Sequence, residues 1–289
     1  MIFSGGQKCL LLGVGLVIAC VPTQSSTPPI ATPPSPGNQL PTAAVPGAGV
    51  WAFKYQPGSA RYQIARSATI ARLDTVGQTE LSTNVSHELV TLDSTDSGIN
   101  FVVVIDGFTT TAQGLIGPSQ PSQLPVQISG SFAPSGLNLR NFAPGEKCSP
   151  VHSAVFSDLY NLFVPFPQQF AAGAHWTDSV EIRGCPAGVP TLSHTLRVFT
   201  VAGEVTYGGR PVVMIQRADT TLAQGEGGLQ QHRLSIDAHG TGTAVYYLDV
   251  SSGRILYLTV NQTLTLRVTT SGRQYQLKQA SKQDFGILR

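Results

Sequence analysis

Charge is scarce in this chain. Only 12% of its 289 residues are Asp, Glu, Lys or Arg, and the formal net charge is +2. The basic residues are scattered and form no block, so the electrostatic footprint of a nucleic-acid binder is missing. The N-terminal apolar run, from Cys9 or Leu10 to Ala19, is roughly ten residues, about half of what a bilayer-spanning helix needs. Cysteine is rare, with Cys9, Cys20, Cys148 and Cys185 in no zinc spacing and no C-x-x-C pair. Also absent are the G-x-S-x-G nucleophile elbow, the P-loop, H-E-x-x-H and G-x-G-x-x-G. These absences point away from the common enzyme classes, and no cofactor is implied.

What is present begins at the N-terminus. Lys8 is the only charged residue before the apolar run, which is short and flanked like the apolar region of a signal peptide. From Cys9 through Phe53 there is no Asp, Glu, Lys or Arg, and residues 21–48 are rich in Pro, Ser, Thr, Ala and Gly. Such a stretch cannot bury enough apolar surface to offset its ordering entropy. Proline biases it toward extended polyproline II, in which roughly 28 residues reach on the order of 90 Å. The expected organisation is a signal peptide at 1–19, a tether at 20–48 and a β-rich globular domain at 49–289.

The run ends Val17-Ile18-Ala19-Cys20. This resembles the lipobox of bacterial lipoproteins. The resemblance implies that the Cys20 thiol takes a diacylglyceryl group, that the leader is cut before it, and that the mature chain is anchored by acyl chains such as palmitate. Two or more chains hold a protein firmly where one binds marginally, since each buried methylene adds about 0.8 kcal/mol. Residues alone also allow an ordinary secretory leader with an incidental cysteine. Either way the body is exported, where a Cys148–Cys185 disulfide can persist. It would close a loop of roughly 37 residues and contribute on the order of 3–4 kcal/mol in the chain-entropy model. Two buried free thiols are the alternative.

From Trp51 onward apolar residues recur with period two. In 255–268, Leu256, Leu258, Val260, Leu264, Leu266 and Val268 share one face, opposite Tyr257, Thr259, Asn261, Thr263, Thr265 and Arg267. Val126, Ile128 and Phe132 repeat the pattern, as do Leu234 and Ile236 against Arg233, Ser235 and Asp237. Residues 99–105 are apolar on both faces and read as a central strand. Turn signals stand at Pro57-Gly58, Ser97-Gly98, Asp106-Gly107, Gly208-Gly209, Ser252-Gly253 and Ser271-Gly272. One helix is expected. Ser149 can cap it, Pro150 suits its first turn, Val151, Val155, Leu159 and Leu162 form its stripe with Phe156 and Phe163, and Pro165 and Pro167 end it. The fold class is therefore mainly β, a β-rich α+β meander of long antiparallel strands with one main helix packed on the sheet.

Candidate chemistry is sparse. The histidines, at 87, 152, 175, 194, 232 and 239, are dispersed. His175 with Asp178 and Asp237 with His239 are the closest pairings, and both read more simply as solvated strand positions; His152 reads as helix surface. Trp176 suits a core anchor against the helix better than an aromatic platform. Phe163, Phe166 and Phe170 form either an exposed apolar lip or a connector tucked onto the core. Residues 223–231 read as a mobile hairpin loop. Asn84-Val85-Ser86 and Asn261-Gln262-Thr263 match a glycosylation acceptor only by accident in a bacterial chain.

The acylated cysteine, the tether and the long sheet facing helical cover together look like the envelope lipoproteins of half-barrel fold, among them the Lol-type carriers and related glycolipid-binding lipoproteins. "WTDSVEI", "YYLDVSSGRILYL" and "YQLKQ" are also similar to uncharacterised bacterial lipoproteins. The resemblance implies a half-barrel and places no individual binding residue; one departure is that those carriers close the concave face with more helix than this sequence offers. The expectation is a noncatalytic envelope lipoprotein that binds a lipid or other apolar ligand. The alternatives are an adaptor that binds another envelope protein, through a strand edge or the Phe/Pro lip, and an envelope hydrolase. Val21 is not the aspartate that retains enteric lipoproteins in the inner membrane, which favours the outer membrane facing the periplasm.

Overall fold

The computed structural model describes residues 49–73, 79–96, 98–113, 124–133, 136–139, 150–184, 189–229 and 232–288. Cys20, Cys148, Cys185, the leader, the tether and the Ser149 cap lie outside the described residues. Among the rest, one antiparallel sheet dominates. In chain order its strands are β2 (Gly58–Arg72), β3 (Thr79–Thr95), β4 (Gly98–Gln113), β5 (Val126–Ala133), β6 (Gly136–Leu139), β8 (His175–Gly184), β9 (Thr191–Tyr207), β10 (Arg210–Leu229), β11 (His232–Asp249), β12 (Arg254–Thr270) and β13 (Arg273–Leu288). Two short strands, β1 (Val50–Ala52) and β7 (Gln169–Ala171), pair with each other, Trp51 opposite Phe170. The sheet is a half-barrel of 11 strands, ordered β6-β5-β4-β3-β2-β13-β12-β11-β10-β9-β8.

That order explains where the helix lies. β2 to β6 and β8 to β13 are two runs of hairpin-linked neighbours, joined where β13 pairs with β2. The chain leaves the sheet at one outer edge, β6, and re-enters at the other, β8. The connection therefore has to cross the hollow. It does so as α1 (Pro150–Leu162), followed by the Phe/Pro segment. Val155, Phe156, Leu159, Leu162, Phe163 and Val164 are buried against Ile64, Phe101, Val103, Ile128, Phe199, Ile215, Tyr246, Leu258 and Phe285 of the inner sheet face.

The hairpins follow local chemistry. Ser271 and Gly272 have φ of 48° and 77° between the paired Thr270 and Arg273, a two-residue turn with both central residues left-handed. This turn type suits the right-handed strand twist and favours glycine, because a Cβ there meets the following carbonyl. Gly272→Val is expected to destabilise the protein by about 1–2 kcal/mol, measured by urea denaturation; an unchanged midpoint would contradict this turn geometry.

Four expectations are corrected. Asp106-Gly107 is a bulge inside β4: His87 pairs with Gly107 and Glu88 with Ile105, leaving Asp106 extra. Two residues face one there, which bends the strand without ending it. Leu256 leaves the inner face for the same reason. A bulge beside Tyr247/Leu248 pairs Leu248 with Ile255 and Tyr247 with Tyr257, so Ile255 points in while Leu256 joins Val205, Val212 and Tyr247 outside. Residues 223–229 are strand, paired with 232–238, not a loop. In β4 the inward Phe101, Val103 and Ile105 are fully buried, whereas Val102 and Val104 are half-buried, so this strand has one core face, not two.

Candidate functional site

The inner face is divided into three zones along the strands. At the end nearest Gly58 and Arg254 it is apolar and filled. Phe163 stacks on Phe101 with ring centres 4.7 Å apart, and Trp176 lies parallel to Phe199 at 4.9 Å. Phe163 and Phe170 are buried and Phe166 is half-buried, so the Phe/Pro segment is a tucked connector and the exposed lip is overturned. Trp176 is a core anchor, packed on Phe199, Phe166 and Phe170.

The middle zone is polar and was not foreseen. Parity carries Arg66 inward behind Tyr62 and Ile64, Glu88 ahead of Val90 and Leu92, and Arg217 behind Ile215. Asp158 falls on the helix stripe beside Val155 and Leu159. Arg66 grips Asp158 with two prongs, Nε donating to Oδ1 at 3.2 Å and a second nitrogen to Oδ2. It also donates to Glu88 at 3.2 Å, Ser86 at 3.0 Å and Asn84 at 2.9 Å. Arg197 donates to both oxygens of Asp178, at 2.6 and 2.5 Å, and to the Tyr160 carbonyl at 2.6 Å. Arg217 donates to Asn161 Oδ1 at 3.0 Å, to Asp219 at 2.8 Å and to the Tyr246 hydroxyl. The last turns of α1 are thus held by an arginine from each of β2, β9 and β10.

The contact of Arg197 with the Tyr160 carbonyl has an identifiable cause. The final carbonyls of a helix lack intrahelical partners and carry partial negative charge. α1 has no basic residue in its last turn. Other parts of the chain supply the missing donors: Arg197 of β9 to Tyr160, and the hydroxyl of Tyr55, between β1 and β2, to Leu162 at 2.9 Å. Tyr55 also accepts from the Val164 amide at 2.9 Å.

Burial pushes Glu88 up to about 8, helped by the charge of Asp158 and opposed by Arg66. Burial raises Asp158 too. Because Asp158 holds the two-pronged bond, the proton shared by this pair resides on Glu88. The zone then balances three arginines with the carboxylates of Asp158, Asp178 and Asp219.

Beside α1 the belt borders a partly open pocket of about 60 Å³, lined by Ser157, Asn161, Arg197, Arg217, Asp219, Gln262 and neighbours. A smaller one of about 20 Å³ lies near Tyr62 and Leu162. Neither approaches the several hundred Å³ of a lipid-sized chamber. In the third zone, Ile236, Ala238 and Leu266 form a second apolar cluster with Val189, joined by half-buried Leu234, Leu264, Val268 and Leu277. None of the described α1 side chains, those of residues 154–162, belongs to it.

The sequence-derived pairings dissolve here. Asp178 binds Arg197, not His175, whose Nδ1 lies 3.3 Å from the Gly173 carbonyl. Asp237 and His239 are exposed on the outer face. Among the described residues, no group of three His, Cys, Asp or Glu could hold a metal ion. Asn84 serves as an acceptor for Arg66. The chain matches no known protein-family model, and no curated protein is significantly similar to it.

Proposed function

We propose that this chain is a noncatalytic bacterial envelope lipoprotein, anchored through acylated Cys20, whose half-barrel binds a lipid or other apolar ligand along its inner face. The observation that carries this reading is the apolar third zone. Leu234, Ile236, Ala238, Leu264, Leu266, Val268 and Leu277 point to the hollow side of the sheet, and none of the described side chains of α1, those of residues 154–162, belongs to their cluster. Leu234, Leu264, Val268 and Leu277 among them are half-buried, which leaves apolar surface along neighbouring strands that suits an extended acyl chain better than a compact ligand. The adaptor alternative loses its Phe/Pro surface, since those rings are spent on the core.

The test is mass spectrometry of full-length protein purified from its native membrane. A co-purified lipid is expected with the parent chain, and its loss is expected when the half-buried Leu264 is changed, Leu264→Asp, at unchanged circular dichroism. Absence of lipid from the parent, or equal lipid in the variant, would refute ligand binding on this face. The anchor is tested separately. Cys20→Ala is expected to abolish acylation and to leave the leader uncut, read by the mass of the purified chain. An unacylated parent chain would overturn the envelope address.

A further inference from the structure

The two outer edges of the sheet differ in what they offer another strand. β6 has four residues, too few to template one. β8 has ten, with no Lys and no Pro among them. It pairs with β9 on one side, and among the described residues no strand pairs with its other side. An inward charge can guard such an edge, but that of Asp178 is already bound by Arg197 at 2.5 Å.

Backbone parity shows what the open side presents. The Ala174 carbonyl accepts from the Val201 amide, and the Ile182 carbonyl accepts from the Ser193 hydroxyl, both donors on β9. The register between β8 and β9 is continuous, so the even-numbered residues address β9. The odd-numbered ones, among them Thr177, Ser179, Glu181 and Arg183, turn their N–H and C=O groups to the open side. These four residues are exposed. On the inner face, Val180 and Ile182 are half-buried and line the pocket beside Ser157 and Tyr160 of α1.

Charge selects the occupant. Among the described residues Arg183 forms no ion pair, and Glu181 reaches His194 Nδ1 at 3.2 Å with 66% of its side chain exposed. A second copy of β8, run antiparallel, must set odd residues opposite odd ones for their backbone groups to meet. With the two-fold axis at Ile182, each Glu181 faces the other copy's Arg183 and each Ile182 faces its twin. With the axis at Glu181, like charges meet. With the axis at Val180, Glu181 faces Ser179 and Arg183 faces Thr177. Of these registers the first alone matches charge with opposite charge and apolar with apolar.

We propose that two copies of this chain pair edge to edge through β8, continuing the sheet across a two-fold axis at Ile182. The backbone ladder and the strip of Val180 and Ile182 supply the attraction, and the two reciprocal ion pairs set the register. Such an isologous contact consumes both long edges, so assembly stops at two, whereas β8 against β6 of the next copy would be head-to-tail and open-ended. The pairing does not rest on the apolar-ligand reading, and protein free of lipid forms the same dimer.

The test is sedimentation equilibrium of the acylated full chain in density-matched detergent, with micelles in excess over protein. A monomer–dimer equilibrium is expected. Glu181→Arg and Arg183→Glu should each raise the dissociation constant about tenfold, because each sets like charges opposite one another twice. Combining the two reversals should restore the parent value. Glu181→Pro probes the backbone: the amide it deletes faces the open side, so the dimer is lost at unchanged melting temperature. A parent chain that stays monomeric at its highest soluble concentration overturns the proposal. So do species larger than a dimer, a double reversal no better than the single ones, or a Glu181→Pro protein that still dimerises.

Discussion

Arg66→Met is expected to destabilise the protein by about 3–5 kcal/mol at pH 7, measured by urea denaturation. Among the described residues, Arg66 is the only cation bonded to two buried carboxyls, Asp158 on the helix and Glu88 on β3. Its removal leaves Asp158 with a charge that nothing nearby compensates. The variant escapes by protonating Asp158, and that escape has a signature. The unfolded chain keeps Asp158 ionised at neutral pH, so protonating it only in the folded state costs stability that returns as pH falls. The destabilisation should therefore shrink at pH 4. Adding Asp158→Leu to Arg66→Met should recover most of the loss, since an apolar pair of similar volume avoids burying any charge. A cost below about 1 kcal/mol at pH 7, or one that does not shrink at pH 4, would show that this pair does not hold α1 to the sheet.

The same pair shows how far the sequence could be read. Strand parity in β12 and the stripe of α1 were legible because apolar residues repeat at fixed spacing, and Val155, Leu159, Leu162 and Leu258 are buried where the period puts them. The charged residues obeyed the same period. Arg66 follows Tyr62 and Ile64 at steps of two, Arg217 follows Ile215, and Asp158 lies one residue before Leu159. A pattern built on apolar positions simply stops at such residues and assigns them to solvent. The available signal was a charge standing where the period demands a core side chain. Its partner was not legible, because Arg66 and Asp158 are 92 residues apart and meet only after the chain has crossed the hollow. Bulges were hidden for a related reason. Asp106-Gly107 has turn composition, and only the register of β3 against β4 shows one extra residue in a continuing strand. The half-barrel itself came from likeness to envelope lipoproteins, not from periodicity, which is the same for a flat sheet and a curved one.

Glu88→Gln is expected to remove a pH dependence that the parent chain carries. With its carboxyl held near pH 8 by burial and by Asp158, Glu88 is neutral in the folded state at pH 7, while in the unfolded chain it ionises near its ordinary value of 4.5. Between those values the unfolded state binds fewer protons than the folded one. Stability from this group is therefore full below about pH 4.5 and falls as pH rises toward 8, by at most about 1.4 kcal/mol per unit. Asp249 acts in the opposite sense: hydrogen bonds from Ser251 and Ser252 outweigh its burial and hold its carboxyl below the usual range, so its contribution is lost as pH falls. The two windows do not overlap, and a difference curve between parent and variant isolates Glu88. Gln keeps the acceptor that Ser86 reaches at 2.8 Å and cannot ionise. Urea midpoints measured from pH 5 to pH 9 should decline steadily in the parent and stay flatter in Glu88→Gln, with the variant the more stable of the two at pH 9. Parallel curves would mean that the buried glutamate is ionised in the folded protein, and that the inner belt carries one more negative charge than its three arginines balance.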